Sequence, residues 1–331
     1  MNIAQIAKMA GVSSAAVSRY FNNGYISEEK KEAIRQVVEK TGYRPSVQAQ
    51  TLRTKKTKMI GIIIPKINSA SISSVVAGIV SVLDENGYQP LLADTQNNPK
   101  KELSFLELFD EKQVDGLVFI ATVFTAKHIK MLKNVKVPMV IVGQRLSGYS
   151  CVYHDDYHSF YDMTKMVLEK GRKKLGYLSA FHEDEAVGKE RYRAFCDAVD
   201  DGGREELKER YRITAFHLHS GYEKAKELMT SYPDTDAIIC ATDEMAIGAL
   251  QYLKEHEISV PDQVMVTGQG DNMMTKVTTP TITTIHYSYE ESGISASKIL
   301  LEMLTSGDDV PVREIKLGYS IVENESTKEI G

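Results

Sequence analysis

The segment Ile3-Ala4-Gln5-Ile6-Ala7-Lys8-Met9-Ala10-Gly11-Val12-Ser13-Ser14-Ala15-Ala16-Val17-Ser18-Arg19-Tyr20-Phe21-Asn22 opens the chain with two helical repeats split by a glycine. Ile3, Ile6, Ala7 and Ala10 recur at helical spacing and form one apolar face. Gly11 suits the positive φ of a helix C-terminal cap, and Ser13 suits the N-cap of the next helix. That second helix buries Val17 and turns Ser14, Ala15, Ser18 and Arg19 outward. A third helix starts at Ser27-Glu28-Glu29-Lys30, a capping box in form, and buries Ala33, Ile34, Val37 and Val38. Two short helices around a tight glycine turn, with a packing helix behind, read as a helix-turn-helix, although the periodicity alone fits any three-helix bundle.

The charge distribution points the same way. The chain has 331 residues and a net charge of −5, with 40 basic against 45 acidic residues. Residues 1–58 hold eleven basic and four acidic residues, a net +7, leaving 29 basic against 41 acidic, a net −12, in the rest. A basic module on an acidic body suits a polyanion bound at one end, and a solvated lysine-rich face would give the same count. Hydrophobic residues at 42% and charged residues at 26% match globular averages, so wholesale disorder is excluded. At ~150 residues per domain the length suggests two or three domains.

Cys151, Cys196 and Cys240 are too few and scattered for a disulfide framework or a zinc site. No run of ~18 apolar residues occurs, and residues 1–10 lack the apolar core of a secretory signal. A cytoplasmic protein with no membrane partner is expected.

The string Ile6-Ala7-Lys8-Met9-Ala10-Gly11-Val12-Ser13-Ser14-Ala15-Ala16-Val17-Ser18-Arg19-Tyr20-Phe21-Asn22-Asn23, followed by Thr41-Gly42-Tyr43-Arg44-Pro45, resembles the headpiece of the LacI/GalR family of bacterial repressors. The resemblance implies that the second helix enters the major groove. Ser14, Ala15 and Arg19 then occupy its base-reading positions, with Arg19 placed for a two-pronged contact to guanine. Ser13, Ser18 and Asn22 serve as phosphate contacts or helix caps. Residues 46–58 read as a solvated tether or, by the resemblance, as a hinge helix facing DNA with Ala49, Leu52 and Arg53. Leu52 matches the leucine that the family wedges into the minor groove, and Gln50 departs from the usual arginine there.

From Met59 the pattern becomes short apolar strands alternating with amphipathic helices. Met59-Ile60-Gly61-Ile62-Ile63-Ile64 before Pro65 has the composition of a strand buried on both faces. Further strands are expected at 116–122, 138–143, 175–179, 213–216, 237–241 and 264–268. Helices are expected at 73–85, 101–111, 161–170 and 222–231. Alternating β and α elements imply parallel sheets. The expected organisation is an all-α headpiece (1–45), a hinge or linker (46–58), and an α/β body (59–331) of two parallel-sheet lobes divided near 147–155. By resemblance, that body is periplasmic-binding-protein-like.

No enzyme is expected. No Gly-x-Gly-x-x-Gly follows a strand, no P-loop or Gly-x-Ser-x-Gly occurs, and Gly268-Gln269-Gly270 is too short to count. His154-Asp155-Asp156 with His158 lacks a clear fourth ligand, so no metal and no cofactor are expected.

A binding cleft remains. Arg191, in Gly188-Lys189-Glu190-Arg191-Tyr192-Arg193-Ala194-Phe195, matches the family's effector-binding arginine or makes a surface ion pair with Glu190 or Asp184. Phe216 and Tyr289 fit its stacking aromatics or plain core. Thr242 replaces the family's usual asparagine, with Asp243 expected to cap the following helix. The family's effector aspartate falls on Gly270, so Gln269, Asp271 or Gln144 is expected to substitute, with Ser69 and Ser71 on the first lobe. Lys66, Arg145 and Lys189 are phosphate-neutralising candidates or solvated surface. Ile72, Val75, Val76, Ile79 and Leu83 line either a dimer face or the inward face of an amphipathic helix.

Val142-Gly143-Gln144, His154-Asp155-Asp156-Tyr157, Ala186-Val187-Gly188-Lys189-Glu190-Arg191 and Cys240-Ala241-Thr242-Asp243 are most similar to the family's disaccharide-operon branch, sucrose first and trehalose second. The resemblance thus implies a homodimeric repressor on a pseudo-palindromic operator, released by a disaccharide or its phosphate. The rivals are a regulator answering to a purine or a partner protein, and a sugar-binding protein or enzyme with an accidental basic arm.

Overall fold

The computed structural model describes residues 1–22, 24–43, 56–111, 114–306 and 310–328. The chain divides into two compact units, Met1–Thr57 and Lys58–Gly331. Ala49, Leu52 and Arg53, with most of the expected hinge, lie outside the described residues.

In the first unit, α1 (Ile3–Ala10), α2 (Ser14–Phe21) and α3 (Glu28–Thr41) enclose Ile6, Ala7, Ala16, Val17 and Ile34. Gly11 ends α1 at φ +65°, and the Ser13 hydroxyl accepts from the Ala16 N–H at 3.2 Å. Asn2 and Gln5 form a reciprocal capping box that the sequence reading missed. The box expected at Ser27 does not form. Three residues on stands Lys30, whose ammonium has no acceptor for the cap backbone N–H. Only Ile34 of the four α3 positions is fully buried, while Ala33, Val37 and Val38 sit half-buried.

The second unit begins with β1 (Met59–Ile64). Ile60, Ile62, Ile63 and Ile64 are at most 1% exposed because helices cover both faces of the sheet. Each contributes roughly 1.5–3 kcal/mol over its exposed state. The chain continues through α4 (Ala70–Glu85), β2 (Gln89–Asp94), α5 (Pro99–Asp110), β3 (Gly116–Ile120), α6 (Ala126–Leu132), β4 (Met139–Val142) and β5 (Ser150–His154). It then forms α7 (Asp156–Glu169), β6 (Leu175–Ser179), α8 (Arg191–Asp201), β7 (Tyr211–Ile213), α9 (Leu218–Ser231), β8 (Ala237–Cys240), α10 (Asp243–Glu255) and β9 (Met265–Thr267). The last elements are β10 (Thr284–Tyr287), α11 (Tyr289–Ser306), β11 (Glu314–Leu317) and β12 (Tyr319–Val322).

One lobe carries the parallel order β11-β5-β4-β3-β1-β2, and the other β7-β6-β8-β9. Both orders reverse direction beside their first strand, at β1 and at β6. Ligand crevices form outside the carboxyl ends of strands at such switch points.

The lobes are not consecutive halves of the sequence. The expected break at 147–155 holds β5, an inner strand of the first sheet, and the chain leaves that lobe only after it. It returns in α11 and β11, then crosses again to β12, which pairs antiparallel with β10. The strand expected at 213–216 runs instead over Tyr211–Ile213, which frees Phe216 to turn toward the crevice. Helices α4, α5, α7 and α9 start earlier than expected, and in the last three a polar cap sets the start. Asn98, Asp155 and His217 accept backbone N–H groups there.

Val75, Ile79 and Leu83 are buried against the first sheet and α11, with Ile72 and Val76 beside them. Of the two readings of this stripe of α4, the inward face of an amphipathic helix holds for Val75, Ile79 and Leu83, while Ile72 and Val76 are half-buried. The two helices touch backbone to backbone. A Cβ on Gly78 would lie 2.1 Å from the Glu290 carbonyl oxygen, and one on Gly293 would lie 2.1 Å from that of Val75. Gly293→Ala is expected to cost ~3 kcal/mol or more, lowering the thermal midpoint of this unit by roughly 6–12 °C in a calorimetric scan. An unchanged midpoint would contradict this contact.

Candidate functional site

Helix α2 presents Ser14, Ala15 and Arg19 to solvent, while Val17 anchors its opposite side. The Arg19 guanidinium makes no hydrogen bond or ion pair among the described residues, so its planar fork of donors is available to an external acceptor. Ser13 is engaged as a cap. The Asn22 amide donates to the Ser18 carbonyl at 2.5 Å and lies 3.4 Å from its hydroxyl, which ties these two into the end of α2.

The second unit holds a cavity of about 280 Å³ between its lobes, near the lower end of the ~300–1,000 Å³ of small-molecule sites. Its walls come from strand carboxyl ends, as the topology requires. Lys66, Ser69 and Ser71 follow β1, Asn97 follows β2, and Thr122 follows β3. From the other lobe come Asp184 after β6, Phe216 after β7, Thr242 and Asp243 after β8, and Gln269 after β9. Arg191 and Tyr289, both expected, also line it. The Ser69 and Ser71 hydroxyls lie 3.0 Å apart.

Arg191 is buried, and its partner is neither Glu190 nor Asp184. Its Nε and Nη2 donate to one Asp156 carboxylate oxygen at 2.8 and 2.5 Å, and Nη1 donates to the Ala241 carbonyl. Its guanidinium also lies 5.5 Å from the Tyr287 ring centre. Thr242 is the true N-cap of α10, accepting from the Met245 N–H. Asp243, expected in that role, starts the helix and accepts from the Thr284 hydroxyl at 2.6 Å and the Asn272 N–H at 2.7 Å.

Two expected cavity residues are elsewhere. Asp271 has φ +49°, which directs its carboxylate to His286 at 2.9 Å and Lys276 at 3.1 Å, away from the cavity. Gln144 is buried and donates to the Thr122 carbonyl at 2.9 Å and to Asp184 at 2.8 Å, bridging the lobes. Of the phosphate candidates only Lys66 lines the cavity. Arg145 pairs with Glu314 and Lys189 with Glu185. The sequence reading missed Asp184 as a wall residue, and its neighbourhood to Arg191 was the one available signal.

Burial is the largest influence on both cavity aspartates. It lifts the Asp184 carboxyl to about 6, against hydrogen bonds from Val187 and Gln144. It lifts Asp243 to about 7, against those from Asn272 and Thr284. His154, packed between the Tyr287 and Tyr289 rings, is pushed below its usual value by burial. No described helix is long and apolar enough to cross a membrane.

Residues 2–46 match the pattern of bacterial regulatory proteins of the lacI family, and residues 164–327 match a periplasmic binding protein-like domain. The sucrose operon repressor of Staphylococcus xylosus is 33% identical over 303 residues, covering 92% of this chain and 93% of that protein. The HTH-type transcriptional repressor PurR of Haemophilus influenzae (strain PittEE) is 30% identical over 312 residues, covering 93% and 92%. Among solved structures, the lac repressor dimer bound to operator and the anti-inducer ONPF superposes with a TM-score of 0.89 over 99% of both chains, at 18% identity.

Two outcomes follow from the buried charges. Asp184 and Asp243 bind protons more tightly folded than unfolded, so the stability tied to them is present below pH ~4 and lost as pH rises through about 6 and 7. Asp243→Asn does not titrate, so its stability relative to wild type is expected to rise between pH 5 and 8 in urea unfolding. A difference flat in pH would refute this. Arg191→Met strands the buried Asp156 carboxylate and is expected to cost about 3–5 kcal/mol in the same assay.

Proposed function

Because this chain belongs to the lacI family of bacterial regulatory proteins, and so is a DNA-binding transcriptional regulator, we propose that it represses a sugar-utilisation operon. In this reading it binds a pseudo-palindromic operator as a homodimer and is released by a disaccharide or its phosphate. The observation that carries the sugar reading is the composition of the inter-lobe cavity. Phe216 and Tyr289 offer faces for sugar C–H groups, while Ser69, Arg191, Gln269 and two aspartates offer hydroxyl partners. The sucrose operon repressor of Staphylococcus xylosus supports the same assignment.

Readout is assigned to α2. Its exposed Arg19 suits guanine O6 and N7, while Ser14 and Ala15 offer one hydroxyl and one methyl-sized contact. Release follows from linkage, since a sugar lowers operator affinity only by as much as it prefers the non-binding arrangement. The hinge around Leu52 is the proposed link between the two sites.

Fluorescence anisotropy on a labelled palindromic operator tests both halves. Arg19→Ala is expected to lose ~1–3 kcal/mol of discrimination between operator and scrambled DNA, whereas Lys55→Ala with Lys56→Ala should weaken all DNA alike. Sucrose or trehalose should release wild-type protein. Tight operator binding that ignores sugars and tightens with a purine would favour the purine-responsive alternative.

A further inference from the structure

The cavity is lined by three carboxylates, Asp184, Asp243 and Glu244, and by two cations, Lys66 and Arg191. Arg191 is already neutralised by Asp156. Asp184 and Asp243 are 6% and 1% exposed, and neither has an ion-pair partner among the described residues. Neutral donors alone hold them: Gln144 and the Val187 N–H on one, the Thr284 hydroxyl and the Asn272 N–H on the other. The Gln269 side-chain nitrogen, in a residue 3% exposed, has no hydrogen-bond partner among the described residues.

Resting on the reading of this cavity as the sugar site, we propose that its ligand is a neutral, unphosphorylated polyol and that the 6-phosphate of the same sugar is rejected by charge. A hydroxyl both donates and accepts, so one sugar can donate to a buried carboxylate and accept from the unpaired Gln269 amide. At pH 7.5, above the raised values of both aspartates, a phosphate group brings acceptor oxygens and negative charge, which the carboxylates repel.

The opposing features are Lys66 and the first turn of α4, where Ser69 makes no side-chain cap bond and no acidic residue follows. Lys66 is half-exposed, so water and salt screen its charge. The aspartates act from buried positions, where screening is weaker and like charges interact more strongly. The positive end of α10 is already answered by Asp243 and Glu244 in its first turn. The unscreened charge in the cavity is therefore negative.

The test is titration calorimetry on the full-length protein at pH 7.5 with sucrose, trehalose and the 6-phosphate of each. The free sugar that binds should do so at least about tenfold more tightly than its 6-phosphate, a gap of about 1.4 kcal/mol. Asp184→Asn should narrow that ratio toward one by improving phosphate binding. A 6-phosphate that binds as tightly as the free sugar, and loses affinity selectively in Lys66→Ala, overturns the proposal and leaves the sugar reading standing. No heat with any of the four, in protein that still binds its operator, overturns the sugar reading and this proposal with it.

Discussion

The guanidinium of Arg191 is the point on which the second unit turns. It starts α8 and holds Asp156, the first residue beyond the first crossing between lobes. It donates to the Ala241 carbonyl at the end of β8 and faces the Tyr287 ring at the second crossing. One side chain thus ties three chain segments that are far apart in sequence. A buried ion pair of this kind is weak evidence for net stability, because desolvation offsets most of the Coulombic gain. Its effect is on geometry: five directed donors leave few arrangements of the surrounding backbone that satisfy them.

That geometry places the cavity walls. The strand ends of both sheets converge because each sheet reverses order beside its first strand, and Arg191 holds the second lobe's strand ends next to the crossings. The Gln144–Asp184 hydrogen bond joins the lobes at 2.8 Å across the same region. Any opening of the cleft must break that bond and hydrate a carboxylate that burial has raised. A ligand that supplies donors to Asp184 changes the balance between the arrangements without touching the first unit. This is the physical content of a shift in population.

Local pattern and tertiary placement diverged at identifiable residues. The glycine turn at Gly11, the cap at Ser13, the run from Met59 to Ile64 and the strand Leu175–Ser179 were all legible because local sterics or unbroken apolarity specify them. Among the described residues, the strands the pattern did not reveal are β2, β5, β10, β11 and β12. β2 is an edge strand carrying Pro90, with Leu91 and Leu92 each 40% exposed, so its composition does not alternate. β10 and β12 are short and pair with each other only because the chain crosses between lobes there. Asp271 and Gln144 were reasonable candidates by position, but a positive φ at one and a cross-lobe hydrogen bond at the other sent their side chains elsewhere.

Sequence alone therefore determined the helix-turn-helix, its outward-facing Ser14, Ala15 and Arg19, the two-lobed parallel α/β class, and most of the cavity wall from Ser69 to Tyr289. The helix-turn-helix and the alternating strands and helices follow from period, caps and motif spacing, which act over a few residues. The two-lobed body and its cavity residues were implied by the resemblance to the LacI/GalR family. Tertiary structure alone decided that Val75, Ile79 and Leu83 of α4 face inward, that Arg191 answers to Asp156, and that Asp184 and Asp243 are buried without a cation. Such facts depend on which distant segments meet, and hydrophobic periodicity marks which face of an element is covered without saying by what.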